Sequence, residues 1–374
     1  MLGKTIIILS PQDWGTMFLS KHHYAVELAK MGNKVYYINP PKDFHWNPFQ
    51  TIDIGESGYK DLWIVNHHLN CPYWLKFKAI TVFHFMMKFH VQKLEKKIGK
   101  ADIIWSFELG NLYPLTYFSN TSKKLFFPAD EPRDSQAIYA ANGADLIVSI
   151  TREILAKYDS YPATKLLVNH GVASFFFENH DKKVRTDART KIGLSGNFFR
   201  KDLDRPVLLK IIRENSDIIF EFWGAYKIEQ SNVSGATDND TQVFINSLRE
   251  LPNVKMHGPV QPKQLAKELK QMDAFLICYD IQKDQSSGTN YHKIMEYLAT
   301  GKVIVSNNVS TYGGTGLLEM TDERDTNEKL PALFRNVISN LSLHNSSDMQ
   351  MKRIGFAKKN LYESIIQNQI IGKI

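Results

Sequence analysis

Cysteine is scarce. Cys71 and Cys278 are the only two in 374 residues, and neither belongs to a paired metal-ligand spacing. This excludes a disulfide framework and a structural zinc site, and it fits a reducing compartment, so a cytoplasmic protein is expected. Long apolar runs are missing too: no stretch reaches the roughly 18 uncharged apolar residues of a spanning helix. The N-terminal run Thr5 to Leu9 is too short for a signal segment and meets Pro11. Acidic residues are in deficit, with 46 Lys and Arg against 39 Asp and Glu and a net charge of +7. That balance favours anionic partners. The lysines are dispersed, without RNP, helix-turn-helix or zinc signatures, so nucleic acid is not an expected partner.

The chain does contain two domains' worth of globular sequence, with 43% hydrophobic and 23% charged residues. Apolar runs at 5–9, 35–38, 62–65, 102–106, 124–127 and 145–150 read as strands, with helical or irregular segments between them. Residues 21–31 read as a helix closed by Gly32. A second series follows, with strands at 190–195, 218–223, 253–257, 273–279 and 302–306 and helices at 203–214, 241–250, 262–271 and 290–300. Asn169 to Arg189 reads as a linker, and 347–370 as helical. Alternating strands and helices predict parallel, helix-covered sheets. The expected fold class is α/β, with two Rossmann-like doubly wound domains facing a central cleft. The expected domains are 1–172, 186–346 and a C-terminal helical segment, 347–374, that crosses back to the first or closes on the second. In such sheets ligands bind beyond the carboxyl ends of the strands.

The segment with most chemistry is 285–306, where a small polar loop enters a helix. Free N–H groups and partial positive charge at a helix start suit a phosphate. Lys293 falls in the first turn, and Glu296, three residues on, shares its face. A carboxylate there can accept both hydroxyls of a ribose. An incidental Lys–Glu ion pair on an ordinary loop–helix–strand unit explains the same spacing.

The string HKIMEYLATGKVIVS resembles the donor-site helix of glycogen-synthase-like, family-4-type GT-B glycosyltransferases of bacterial polysaccharide assembly. LPNVKMHGPVQPKQLAKELKQMDAFLICY is similar to the segment before it, and SPQDWGTMFLSKHHYAVELAKMGNKVYYINP to the family's first loop, helix and second strand. ADLIVSITREILAKY and LLVNHGV resemble its sixth strand and interdomain crossing. The resemblance implies sugar transfer from a UDP- or GDP-sugar to a glycan or lipid-linked acceptor in cell-surface polysaccharide synthesis, with no cofactor and no metal. Glu296 would hold the ribose. Lys293 and the amides near Ser287, Gly288 and Thr289 would face the diphosphate, with Arg200 or Lys201 as second cation. Pro259 and Val260 would line the base, and Gly15 and Thr16 would present amides from the first domain. Two departures stand out. Gly288 occupies a position where the family often has a glutamate, and His170 stands where an asparagine is usual before Gly-Val.

The catalytic candidates are Asp130, after the strand 124–127, and His23 on the first helix; a solvated turn and a half-buried helix histidine are the plain alternatives. His22 and His23 point to different faces, which argues against a two-histidine metal site. Asp238-Asn239-Asp240 has a DxD pattern but no apolar strand before it. Residues 73–97 interleave aromatics with lysines. They read either as a core helix with a solvated lysine face or as a surface for an anionic membrane, at the inner face of the cell membrane, or a lipid-linked acceptor. Two rival functions remain open: a nucleotide-sugar epimerase of the same fold, and a degenerate binding subunit, which Gly288 favours.

Overall fold

The computed structural model describes residues 3–42, 44, 52–178, 188–227, 238–284 and 288–374. Residues 179–187, in the middle of the expected linker, fall outside them. The chain divides into two compact units. The first comprises Met1–Trp14, Phe18–Asn169 and Tyr362–Ile374, and the second Gly15–Met17 and His170–Leu361.

The first unit is built on an eight-stranded sheet: β1 (Thr5–Leu9), β2 (Lys34–Ile38), β3 (Ile52–Glu56), β4 (Leu62–His67), β5 (Ile103–Ser106), β6 (Lys123–Phe126), β7 (Leu146–Ser149) and β8 (Thr164–Leu167), in the order β3-β4-β2-β1-β5-β6-β7-β8. All neighbours are parallel except β3, which runs antiparallel to β4. The central strands bury every residue of Ile6–Leu9, Ile103–Ser106 and Leu146–Ser149, as a sheet covered on both faces requires. Its helices are α1 (Ser20–Lys30), α2 (Leu75–Lys78), α3 (Ile80–Ile98), α4 (Ser135–Tyr139) and α5 (Arg152–Ala156). The expected single helix over 73–97 breaks at Ala79, whose φ of −148° and ψ of 63° leave the helical region. α1 is buried from Ser20 to Ala29 despite its polar sequence. Its Lys21, His22, His23 and Glu27 are therefore interior groups.

The second unit carries six parallel strands: β9 (Lys191–Ser195), β10 (Ile219–Trp223), β11 (Val254–Gly258), β12 (Ala274–Ile277), β13 (Val303–Ser306) and β14 (Glu319–Met320), ordered β11-β10-β9-β12-β13-β14. Between and after them lie α6 (Arg205–Glu214), α7 (Asn239–Glu250), α8 (Pro262–Leu269), α9 (Ile281–Asp284), α10 (Lys293–Ala299), α11 (Leu330–Ser339), α12 (Leu341–His344) and α13 (Ser347–Lys359). Arg353 of α13 is fully buried and donates to the carbonyls of Leu317, Gly301 and His344, tying the helix to this sheet. The expected helix 347–370 is interrupted after Lys359. α14 (Tyr362–Ile365) and the turns beyond it belong to the first unit, where Tyr362 stacks on His23 and meets Tyr24 edge-on.

In each sheet the order reverses at one strand. β1 has β2 on one side and β5 on the other; β9 has β10 and β12. Connections leave such a strand in opposite directions and open a crevice at its carboxyl end. In the second unit that end is Ser195 to Arg200 after β9 and Cys278 to Asp280 after β12.

Candidate functional site

At the crevice of the second unit, β9 and β10 end in glycines that nearly touch. Gly196 N donates to Trp223 O at 2.8 Å. Gly224 has φ +127°, and a Cβ there would fall 1.7 Å from Gly196 O. Only glycine allows this approach. It opens space above Gly196, and Lys293 fills it: a Cβ on Gly196 would lie 2.5 Å from Lys293 Nζ.

Lys293 is the first residue of α10, and its Nζ donates to Tyr279 Oη at 2.7 Å. Tyr279 follows β12. Its ring has Lys293 Nζ at 5.0 Å from the centroid and the Arg200 guanidinium at 5.3 Å. Tyr279 thus holds two cations from separate loops at one strand end, through its π face and its hydroxyl. Arg200 also donates from Nε to Asp202 Oδ1 at 2.8 Å, which fixes its fork. Lys201 turns the other way. It pairs with Asp238 at 2.8 Å, and its side chain is 70% exposed. Of the two expected cations, Arg200 is at the crevice.

Glu296 lies one turn along α10 from Lys293 and is 7% exposed. Among the described residues no hydrogen-bond donor reaches its carboxylate; the nearest ionic group within the unit is His292 Nδ1, 3.8 Å away. Burial pushes its carboxyl up to about 8, against the pull of Lys293. A buried acid that leaves its acceptor lone pairs unused is costly, and such groups cluster at ligand sites.

The loop before α10 is anchored from both sides. Thr289 N donates to Ser310 Oγ at 2.9 Å, and Ser310 N donates to Thr289 Oγ1 at 3.0 Å. The Thr289 amide, expected to face a phosphate, is therefore occupied. His170 Nε2 lies 3.0 Å from Asn290 O, and its ring meets that of His292 edge-on. The histidine that departs from the family pattern thus braces this loop. Gly288 is buried, Ser287 lies outside the described residues, and Pro259 and Val260 are half-buried just past β11.

Gly15 and Thr16 sit in the bend between β1 and α1, yet this short stretch groups with the second unit rather than the first. The two histidines of α1 have different tasks. His22 Nδ1 accepts from Leu19 N at 3.0 Å, so its Nε2 carries the proton, 3.1 Å from Asp13 O. It closes the start of the helix. His23 stacks on Tyr362 at 5.1 Å, and burial pulls its pKa down to about 3. At neutral pH it is an uncharged ring and a weak base. Asp130 is exposed past the end of β6. It acts on Lys21, a cation only 4% exposed that hydrogen-bonds Gln12. Burial pulls Lys21 down to about 8, with Asp130 opposing. Asp238, first of the DxD pattern, caps α7 by accepting from Thr241 N at 3.0 Å. His67 and His90 bond each other at 2.9 Å in the core.

Tyr279 and Lys21 are functional candidates that sequence reasoning misses. Tyr279 has a legible signal, since it is the last residue of the apolar run 273–279, at the carboxyl end where ligands bind. Lys21 has none: one lysine on a polar helix reads as solvated until tertiary packing covers it.

No family model and no curated protein matches the sequence. Solved structures do. Sucrose-phosphate synthase from Thermosynechococcus elongatus aligns over 97% of this chain and 96% of its own, with 11% identity and TM-score 0.68. HepE from Anabaena, in complex with UDP and glucose, aligns over 99% and 98%, with 12% identity and TM-score 0.66. The α,α-trehalose 6-phosphate synthase from Burkholderia multivorans aligns over 100% and 96%, with 9% identity and TM-score 0.70. Together with its two parallel-sheet units, these similarities show that the chain has the two-domain GT-B fold.

Proposed function

We propose that this GT-B protein is a glycosyltransferase that uses a nucleotide-diphosphate sugar, with a UDP-sugar as first choice and a GDP-sugar as second, and a glycan or lipid-linked acceptor of surface-polysaccharide synthesis. The observation that carries the reading is the buried, donor-less carboxylate of Glu296, on the same short helix as Lys293 and beside the Lys293–Tyr279–Arg200 cluster. A ribose offers two hydroxyl donors and a diphosphate offers negative charge, so a nucleotide supplies what both halves of the site lack. HepE, with UDP and glucose bound, supports UDP as the first nucleotide to test.

In the proposed reaction an acceptor hydroxyl oxygen bonds to the anomeric carbon, and the bond from that carbon to the diphosphate oxygen breaks. Charge develops on the leaving diphosphate, where Lys293 and Arg200 stabilise it in the role a divalent metal plays elsewhere. The pyrimidine or purine base rests against Pro259 and Val260. Gly15 and Thr16 present their backbone to the sugar or acceptor. The amides of Ser287 and Gly288 add donors to the diphosphate. His23, neutral at working pH, orients substrate by donating a hydrogen bond; Asp130, beside Lys21, is the carboxylate for the acceptor proton if the enzyme inverts.

A thermal-shift panel of nucleotide sugars tests the reading. A ligand bound only by the native state stabilises it by RT ln(1 + [L]/Kd), about 2.7 kcal/mol at a hundredfold excess over Kd. UDP- or GDP-sugars should raise the Tm, and adenine nucleotides should not. No shift with any nucleotide sugar sinks the proposal. The missing acid at Gly288 favours a second reading, a subunit that binds donor without turnover. Release of free UDP in an acceptor screen separates the two.

A further inference from the structure

We infer that α2 and the first half of α3 form a docking surface for an anionic lipid bilayer, lying along it rather than crossing it. The inference stands apart from the sugar-transfer reading. α3 is secured by an apolar face of its own: Phe83, Met87, Val91 and Leu94 are buried in the core of the first unit. The aromatics on its other side are surplus to that packing. Phe77 is 76% exposed and Phe85 60%; Trp74, Val82 and Phe89 are each at least half exposed. They gather into exposed edge-to-face pairs, Tyr73 with Phe77 at 5.6 Å and Phe85 with Phe89 at 5.0 Å. Single scattered exposed apolar residues are ordinary, but two exposed ring pairs on successive helices mark an interaction surface.

Charge identifies the occupant. Residues 73–98 hold six lysines and one glutamate, so a net +5 of the chain's +7 sits on this segment. Lys78 and Lys88 are exposed near the aromatics in sequence, and Lys96, seven residues past Phe89, is exposed on the stripe where the aromatics stop. Aromatic rings on one face with a lysine collar are what a helix needs to sink its apolar side among acyl chains while its cations meet anionic headgroups. A protein partner's apolar face would match the rings and leave the collar unanswered. No helix among the described residues is long and apolar enough to cross a membrane.

The surface is joined to the crevice of the first unit. Lys76 Nζ reaches the loop after β5, where a Cβ on Gly110 would lie 2.9 Å from it, and Glu108 in that loop accepts from Gly110 N and Leu112 N. A bilayer on α2 therefore lies close to the loop that follows β5, beside that sheet's switch strand. If the sugar-transfer reading also holds, a lipid-borne acceptor would enter there.

Flotation of the full chain with vesicles tests the inference. Wild type should float with phosphatidylcholine–phosphatidylglycerol vesicles, and far less with phosphatidylcholine alone or at high salt. Lys78→Glu with Lys88→Glu should cut partitioning by at least about twentyfold. Phe77→Ser with Phe85→Ser and Phe89→Ser should cut it to background with unchanged Tm, because those rings are not in the core. Failure of wild type to float with anionic vesicles overturns the inference, as does full binding by the serine variant. So does a wild-type dimer that the serine variant converts to monomer without any vesicle binding, which would make the patch a self-association face. None of these results bears on nucleotide binding, so the two proposals fail separately.

Discussion

Replacing Glu296 with glutamine should abolish UDP binding and, at the same time, make the unliganded chain more stable. The second effect follows from the raised pKa of the carboxyl. In the unfolded chain the carboxyl ionises near 4.5; in the folded chain burial holds it protonated up to about 8. As pH rises above 4.5 the unfolded state loses its proton while the folded state keeps it, so stability drains away until the folded pKa is passed. Each unit costs about 1.4 kcal/mol, so at pH 7 the penalty is on the order of 3 kcal/mol. Glutamine does not ionise and escapes that penalty, although its amide inherits the lack of partners. A net gain of a few degrees in Tm is expected. The first effect follows from the ribose. Two hydroxyls donating to a charged acceptor are worth about 1.5–3 kcal/mol each, so affinity should fall at least about a hundredfold. Hydroxyl donors favour the ionised acid, so wild-type affinity for UDP should increase from about pH 6 towards 8 and then level, and the glutamine variant should lose this dependence. Calorimetric titration across pH, with Tm measured on both proteins, checks all three. A lower Tm with unchanged UDP affinity would make Glu296 a structural residue.

Lys293→Ala should lower kcat/KM by on the order of 10²–10³, mainly through kcat. Its ammonium is held by Tyr279 Oη and backed by the Gly196 backbone, so it is in place before charge builds on the leaving diphosphate and needs no reorganisation as the bond breaks. Arg200→Ala should follow with a smaller loss, since Asp202 already neutralises part of its charge. Lys201→Ala should behave like wild type, because its side chain points to solvent and Asp238. Steady-state kinetics of the three variants with one donor decides the matter. Equal losses at Arg200 and Lys201 would refute the assignment of the second cation.

Much of this is legible in the sequence, for identifiable reasons. Strands buried on both faces read as continuous apolar runs, and Ile6–Leu9, Leu146–Ser149 and Val303–Ser306 stand where such runs are. The edge strand Ile52–Glu56 is not: its residues are half-buried or exposed, and an antiparallel partner leaves no βαβ rhythm to read. Lys293 and Glu296 are visible as a helical i,i+3 pair. The choice between Arg200 and Lys201 is not, because adjacent residues in a loop differ only in direction, which tertiary packing sets. The Thr289 amide defeats the same kind of reading, since Ser310, which binds it, lies 21 positions away and belongs to the next connection. The aromatic–lysine run leaves two readings open, and the buried face of α3 shows that a core helix can also carry exposed aromatics on its other side.

A crystal structure of the chain with UDP bound asks the decisive question. The ribose hydroxyls should lie within hydrogen-bond distance of the Glu296 carboxylate, with the diphosphate against Lys293 and Arg200. UDP seated anywhere else, with Glu296 still lacking a donor, would contradict the proposed sugar-nucleotide site.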